Sequence, residues 1–168
     1  MWYEPMSARP QFQGGAERYL VRAATLADAP LIARHRRLMF AELGHASGAA
    51  LERVESDTCA ALAGLMPAGT YRHWFLEDSG QVVAGGGAIL VPWLPMPQEP
   101  ALRRVTVLNV YTEPGHRQRG LARRVMRFII DWCRDEGLAC VQLHASVAGR
   151  PLYASLGFLA TNEMRLAL

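Results

Sequence analysis

The chain of 168 residues contains no lysine: all eighteen of its Lys+Arg positions are arginine. A phosphate-binding P-loop needs its lysine on the phosphates, so that class of nucleotide enzyme is excluded. Schiff-base catalysis on a lysine amine is excluded with it. Cysteine is scarce too. Cys59, Cys133 and Cys140 are odd in number and lack the CxxC spacing of a zinc or redox site. They read as free, mostly buried thiols in a reducing compartment, the cytoplasm, and no metal site is expected. No apolar run reaches the roughly 18 residues of a membrane-spanning helix. The opening Met1-Trp-Tyr-Glu-Pro5 has no basic region followed by an apolar stretch, so neither a secretory signal nor a membrane partner is expected. Fifteen acidic residues reduce the formal charge to +3, too little by itself to argue for nucleic acid.

What is present is enough apolar material for a core. The chain is 51% hydrophobic and 20% charged, which excludes a disordered chain. Its length suits one domain at about 100–200 residues each. Residues 1–18 carry prolines and paired glycines without any period, and read as an extension outside the main fold whose Trp2, Tyr3 and Phe12 can dock on it. Residues 19–168 then form a single domain.

Within it, Tyr19–Ala24 reads as a strand. Thr25, with Asp28 three residues on, caps a helix whose first turn accepts Pro30. Leu31, Ile32, His35, Leu38, Met39 and Leu43 form its apolar stripe, and Gly44 ends it. His35 on that stripe reads as a core histidine. A second helix over 48–65 carries Leu51, Val54, Thr58, Leu62 and Leu65. The period then changes. Thr70–Glu77 and Gln81–Val91 read as strands joined at Asp78-Ser79-Gly80, a hairpin. Gly85-Gly86-Gly87 is poor strand chemistry and predicts a bulge or a close approach by another group. Four prolines between 92 and 100 mark a loop holding Trp93, and Arg103–Tyr111 is a further strand. Leu121, Val125, Phe128, Ile129 and Trp132 define the strongest helix, over 121–136, which Gly137 stops. A strand over Ala139–Ala145, a short helix over Pro151–Leu156 and a last strand over Phe158–Leu166 complete the order β-α-α-β-β-β-α-β-α-β. That order predicts an α/β fold, a mixed and mostly antiparallel central sheet with flanking helices.

The chemistry concentrates in Thr112-Glu-Pro-Gly-His-Arg117-Gln-Arg-Gly120-Leu-Ala122, between a strand and the strongest helix. A helix start presents N–H groups with no intrahelical partner, and the helix dipole adds positive potential. Gly120 lets a phosphate approach the main chain, Ala122 keeps the next turn small, and Arg117, Arg119, Arg123 and Arg124 supply cations. A phosphate or pyrophosphate is the expected ligand.

Arg117-x-x-Gly120-x-Ala122 after a strand resembles the R/Q-x-x-G-x-G/A signature of the GCN5-related N-acetyltransferases. Pro151-Leu-Tyr153-Ala-Ser-Leu-Gly157-Phe158 is similar to a second family segment, about thirty residues on. The resemblance covers about residues 19–168. It implies the acyl-CoA N-acyltransferase fold, with two parallel strands (here Arg103–Tyr111 and Ala139–Ala145) splayed apart. Acetyl-CoA would place its pyrophosphate on the turn of Arg117, Gln118, Arg119, Gly120, Leu121, Ala122 and Arg123. Its pantetheine arm would pair with the backbone near Val110, Tyr111 and Thr112. A main-chain N–H there would polarise the thioester carbonyl. Tyr153 matches the tyrosine that protonates the departing thiolate; a phenol of pKa about 10 can do this for a thiol of about 8.5 if it lies within hydrogen-bond reach.

Two positions depart from the family pattern. Ser146 stands where many relatives carry an asparagine that contacts the pantetheine, and it reaches less far. No residue matches the family's glutamate base; Asn109 and Tyr111 occupy that area, and Glu113, Glu77, Glu42, His144 or water remain open. The implied activity is direct acetyl transfer to a primary amine, with a small molecule as the favoured acceptor. The acceptor would sit among the first two helices, their connection at 42–48, the 92–100 loop and the C-terminal strand. A homodimer is compatible with the family. Two other classes stand beside this reading: a coenzyme-binding sensor or interaction module without turnover, and a basic nucleic-acid surface on helix 121–136. Asp131, Asp135 and Glu136 on that helix argue against the latter.

Overall fold

A computed structural model describes residues 18–95, 97 and 102–166. The expected extension therefore lies outside the described residues except for Arg18, as does part of the 92–100 loop.

Among the described residues five strands form one sheet in sequence order: β1 (Tyr19–Ala23), β2 (Tyr71–Asp78), β3 (Gln81–Pro92), β4 (Arg103–Thr112) and β5 (Val141–Leu143). The first four are antiparallel neighbours, and β4–β5 is parallel. Strand alternation in β2 sorts two cores. Tyr71 and Phe75 face α1 (Ala29–Glu42) and α2 (Ala49–Leu65), where Ile32 and Leu62 are buried. Trp74 and Leu76 face α3 (Leu121–Asp135), meeting Leu121, Val125, Met126, Ile129 and Cys133. The short α4 (Arg150–Ala154) places Tyr153 against this second core, followed by Leu156 and Phe158.

Local signals explain the joints. The Asp28 carboxylate accepts the Thr25 N–H at 2.8 Å, the reciprocal capping expected ahead of α1. Ser79 and Gly80, at φ +52° and +79°, make a two-residue hairpin between the paired Asp78 and Gln81. Both left-handed residues match the twist of the flanking strands.

The glycine triplet shows both predicted features. Its register against β4 slips between Gly85 and Gly87. A Cβ on Gly87 would stand 2.1 Å from the Tyr71 hydroxyl, and one on Gly85 would stand 2.7 Å from His73 Nε2. On the other face, a Cβ on Gly86 would meet Val125 at 2.7 Å. Side chains of β2 and α3 occupy the space that β3 leaves.

Several expectations need correction. Phe158–Leu166 forms no strand: β5 pairs over three residues only, too short to offer a ladder, and Leu159, Met164 and Leu166 are more than four-fifths exposed. Strand composition without a partner edge does not make a strand. The expected strand 139–145 shrinks to β5 for the same reason. Leu43 lies beyond the buried stripe of α1, which is Ala29, Ile32, Ala33 and His35. Trp74 is a core residue, its ring centroid 4.9 Å from that of Trp132.

Candidate functional site

β4 and β5 pair only from Val105↔Val141 to Val107↔Leu143. Beyond Val107 the β4 strand continues to Thr112, and among the described residues no strand pairs with that edge. The expected splay is therefore present, and Val110, Tyr111 and Thr112 lie on its open length.

The strand is also bulged there. Gly87 pairs with Leu108 and Gly85 with Tyr111, so Asn109 and Val110 stand opposite Gly86 alone. Asn109 adopts φ +61° inside the strand. The residue is 2% exposed; Nδ2–H donates to the Ile32 carbonyl of α1 at 3.0 Å, and buried Oδ1 has no partner among the described residues. The extra residue reverses the alternation. Val105 and Val107 face α3, yet Tyr111 lies against His35 of α1, with ring centroids 4.8 Å apart.

After β4, Glu113 turns the chain. Its carboxylate accepts bonds from Arg34 at 2.7 Å and from His35 Nε2 at 3.2 Å. Burial opposes ionisation of Glu113, but Arg34 and His35 outweigh it and hold the carboxyl below its ordinary value. Burial likewise lowers the His35 pKa, against the pull of Glu113. A single turn over Pro114–His116 follows, and Gln118 and Gly120 take left-handed conformations at φ +59° and +75°. The first intrahelical bond of α3 runs from Arg124 N–H to Gly120 O. The N–H groups of Leu121, Ala122 and Arg123 are thus the unpaired donors of the helix start. A Cβ on Gly120 would meet nothing within 4 Å, so conformation and not crowding calls for glycine, and the space above the turn is open. Leu121 is buried and offers only its main chain.

The cations divide. Arg117 is turned toward α1, bonding Glu42 at 2.6 Å and the Thr112 carbonyl at 3.0 Å. Arg123 reaches the Ser155 hydroxyl at 2.8 Å, and Arg124 reaches the Tyr19 carbonyl at 2.8 Å. Of the four, only Arg119 makes no hydrogen bond or ion pair among the described residues.

Ser146 Oγ accepts the Gly149 N–H at 3.1 Å and so shapes the entry to α4. Tyr153 is half-buried, edge-on to Phe158 at 5.9 Å between centroids. Burial raises its pKa, favouring the protonated phenol. Gly149 makes room for this ring: a Cβ there would stand 2.9 Å from Tyr153 Cε2.

The open candidates for a base fare poorly. Glu77, on β2 and two strands from the gap, is bound to Arg22 of β1. Glu113 and Glu42 are ion-paired, and His144 is exposed beyond the end of β5. Sequence reasoning missed the Asn109 bulge and the bonds from α1 to the turn; an asparagine within an otherwise Val- and Leu-rich strand was the available signal. A cavity of about 530 Å³ opens at the other end of the sheet, between Met66–Gly69 and the Trp74–Trp132 pair, and does not include this gap.

The chain belongs to the GNAT acetyltransferase family, whose model matches residues 34–158. N-acetyltransferase 8 of Homo sapiens is 28% identical over 95 residues, and N-acetyltransferase 8 of Rattus norvegicus 30% over 94. Each match takes in 54% of this chain but only 39% or 40% of the relative, so the chain matches about two-fifths of those proteins. A GCN5-related N-acetyltransferase from Ralstonia eutropha superposes with a TM-score of 0.84 at 32% identity, covering 89% of this chain and 98% of that one. An acetyltransferase from Clostridium acetobutylicum, solved with acetyl-CoA, has the same fold, with a TM-score of 0.82 at 21% identity over 89% and 96% of the two chains. Among the described residues no helix is long and apolar enough to cross a membrane.

Proposed function

We propose that the protein moves the acetyl group of acetyl-CoA directly to a primary amine of a small molecule, with residues 19–168 acting as one cytoplasmic domain. The observation that carries this reading is the open length of β4 beyond its pairing with β5, on the strand that runs into the turn before the open helix start at Gly120. A strand edge with free backbone groups suits an amide-bearing pantetheine arm, and a helix start suits its pyrophosphate. In this reading the main chain of Val110, Tyr111 and Thr112 holds the arm. The turn from Gln118 to Arg123 holds the phosphates through backbone N–H groups, with Arg119 as the available cation. Arg117 supports the turn from beneath through Glu42 and Thr112. Ser146 acts by shaping the turn that seats Tyr153.

The amine nitrogen bonds to the thioester carbon and loses its proton to water in the open gap. The C–S bond then breaks, and Tyr153 gives its proton to the sulfur. Burial of the phenol keeps that proton in place until a thiolate forms.

Calorimetric titration with acetyl-CoA tests the reading, with Gly120→Glu as the variant. Binding in the wild type that is lost in the variant, followed by thiol release with members of an amine panel, supports it. The absence of lysine removes side-chain amines of the protein itself as competing acceptors. Binding without thiol release from any amine would favour the coenzyme-binding module instead. No binding by folded protein would sink the reading.

A further inference from the structure

We infer that Asn109 is a positioning residue: its left-handed conformation, fixed by its bond to α1, aims the β4 main chain that polarises the thioester. This rests on the acetyltransferase reading above. Three observations meet at one side chain. Asn109 is the only non-glycine residue within a described strand with positive φ. L-residues other than glycine reach that region at a cost, asparagine and aspartate least. The amide is almost wholly buried and spends its donor on the Ile32 carbonyl, in the body of α1. And the bulge it creates lies where β4 has lost β5 as a neighbour.

The physical consequence is a change of direction. A regular strand would send Tyr111 to the α3 face with Val105 and Val107. The extra residue sends it to α1, and rotates the peptide groups around Val110 out of the regular ladder with β3. Bulges re-aim backbone groups beside active sites in this manner. Strain held by surrounding contacts is the mark of a conformation that has a use. The tether to Ile32 also fixes the gap relative to α1, the helix that lines the proposed acceptor side.

The test uses acetyl-CoA labelled at its carbonyl carbon and isotope-edited infrared spectra of the bound thioester. A donor aimed at the carbonyl oxygen lowers its stretching frequency. Wild type is expected to show that red shift. Asn109→Val, which cannot hold positive φ, is expected to lose it. Asn109→Gly, which keeps the backbone freedom and loses only the tether, is expected to retain part of it and to fold, so a misfolded valine variant leaves the inference testable. Acetyl-CoA binding is measured alongside. A full red shift in both variants overturns the inference while leaving the acetyltransferase reading intact, because Asn109 would then serve stability alone. A wild type that binds acetyl-CoA without any shift overturns it too. No binding of acetyl-CoA by wild type overturns both.

Discussion

The Arg117 guanidinium meets the Glu42 carboxylate at 2.6 Å, joining the last residue of α1 to the turn before α3. Both side chains are about two-fifths exposed, 41% and 45%, so solvent screens the pair. Glu42→Gln is therefore expected to cost no more than about 1 kcal/mol of stability, falling further in high salt. Chemical denaturation at two ionic strengths checks this. A loss several times larger would mean the pair holds α1 in place.

The buried histidines make acid stability an early casualty. Burial, helped by the neighbouring His35, lowers the His73 pKa to about 3, while an unfolded histidine titrates near about 6.5. As pH falls below the unfolded value, the unfolded chain takes a proton that the native chain refuses. Stability then drops from that point down to about pH 3, by at most about 1.4 kcal/mol per pH unit for this group. His35, also lowered by burial, adds to the same trend. Denaturation midpoints between neutral and mildly acid pH measure the slope. His73→Phe is expected to flatten it, whatever it costs at neutral pH; an unchanged slope would assign the loss to other groups.

The glycines divide sharply. Gly87→Ala drives a methyl into the buried Tyr71 and is expected to destabilise by at least about 1–3 kcal/mol. Gly64→Ala, in α2 with no atom within 4 Å and no positive φ, is expected to stabilise by about 0.5–1 kcal/mol. At about 2–4 °C per kcal/mol for a chain of this size, thermal unfolding resolves both signs.

At Gly120 conformation and charge can be separated. Gly120→Asn accepts the left-handed backbone and should keep much of the acetyl-CoA binding. Gly120→Glu strains the turn and sets a carboxylate in the open space above it. Calorimetry that found both variants equally weakened would mean that bulk, and not charge, governs the site.

Much of this was readable in advance. The stripe of α3 and its Gly137 stop are local signals, and the helix ends within a residue of the expected place. Gly120 was readable because its conformation demands a particular residue. Gln118 has the same left-handed backbone with no such mark, and so passed unnoticed. Asn109 was harder still. Its bulge is settled by register against β3 and by a carbonyl of α1 that lies 77 positions away in sequence. Phe158–Leu166 shows the converse: residue preferences spoke for a strand, but no neighbouring edge received it.

β5 holds to the sheet by three residue pairs, where β2 and β3 share eight. In amide hydrogen exchange, β5 and the segment through α4 should therefore open locally, at a fraction of the free energy of global unfolding. The β2–β3 amides should exchange only when the whole chain unfolds. The edge of the proposed cleft is then the part of the sheet that breathes most easily, and a ligand bridging β4 and β5 would announce itself as slowed exchange there.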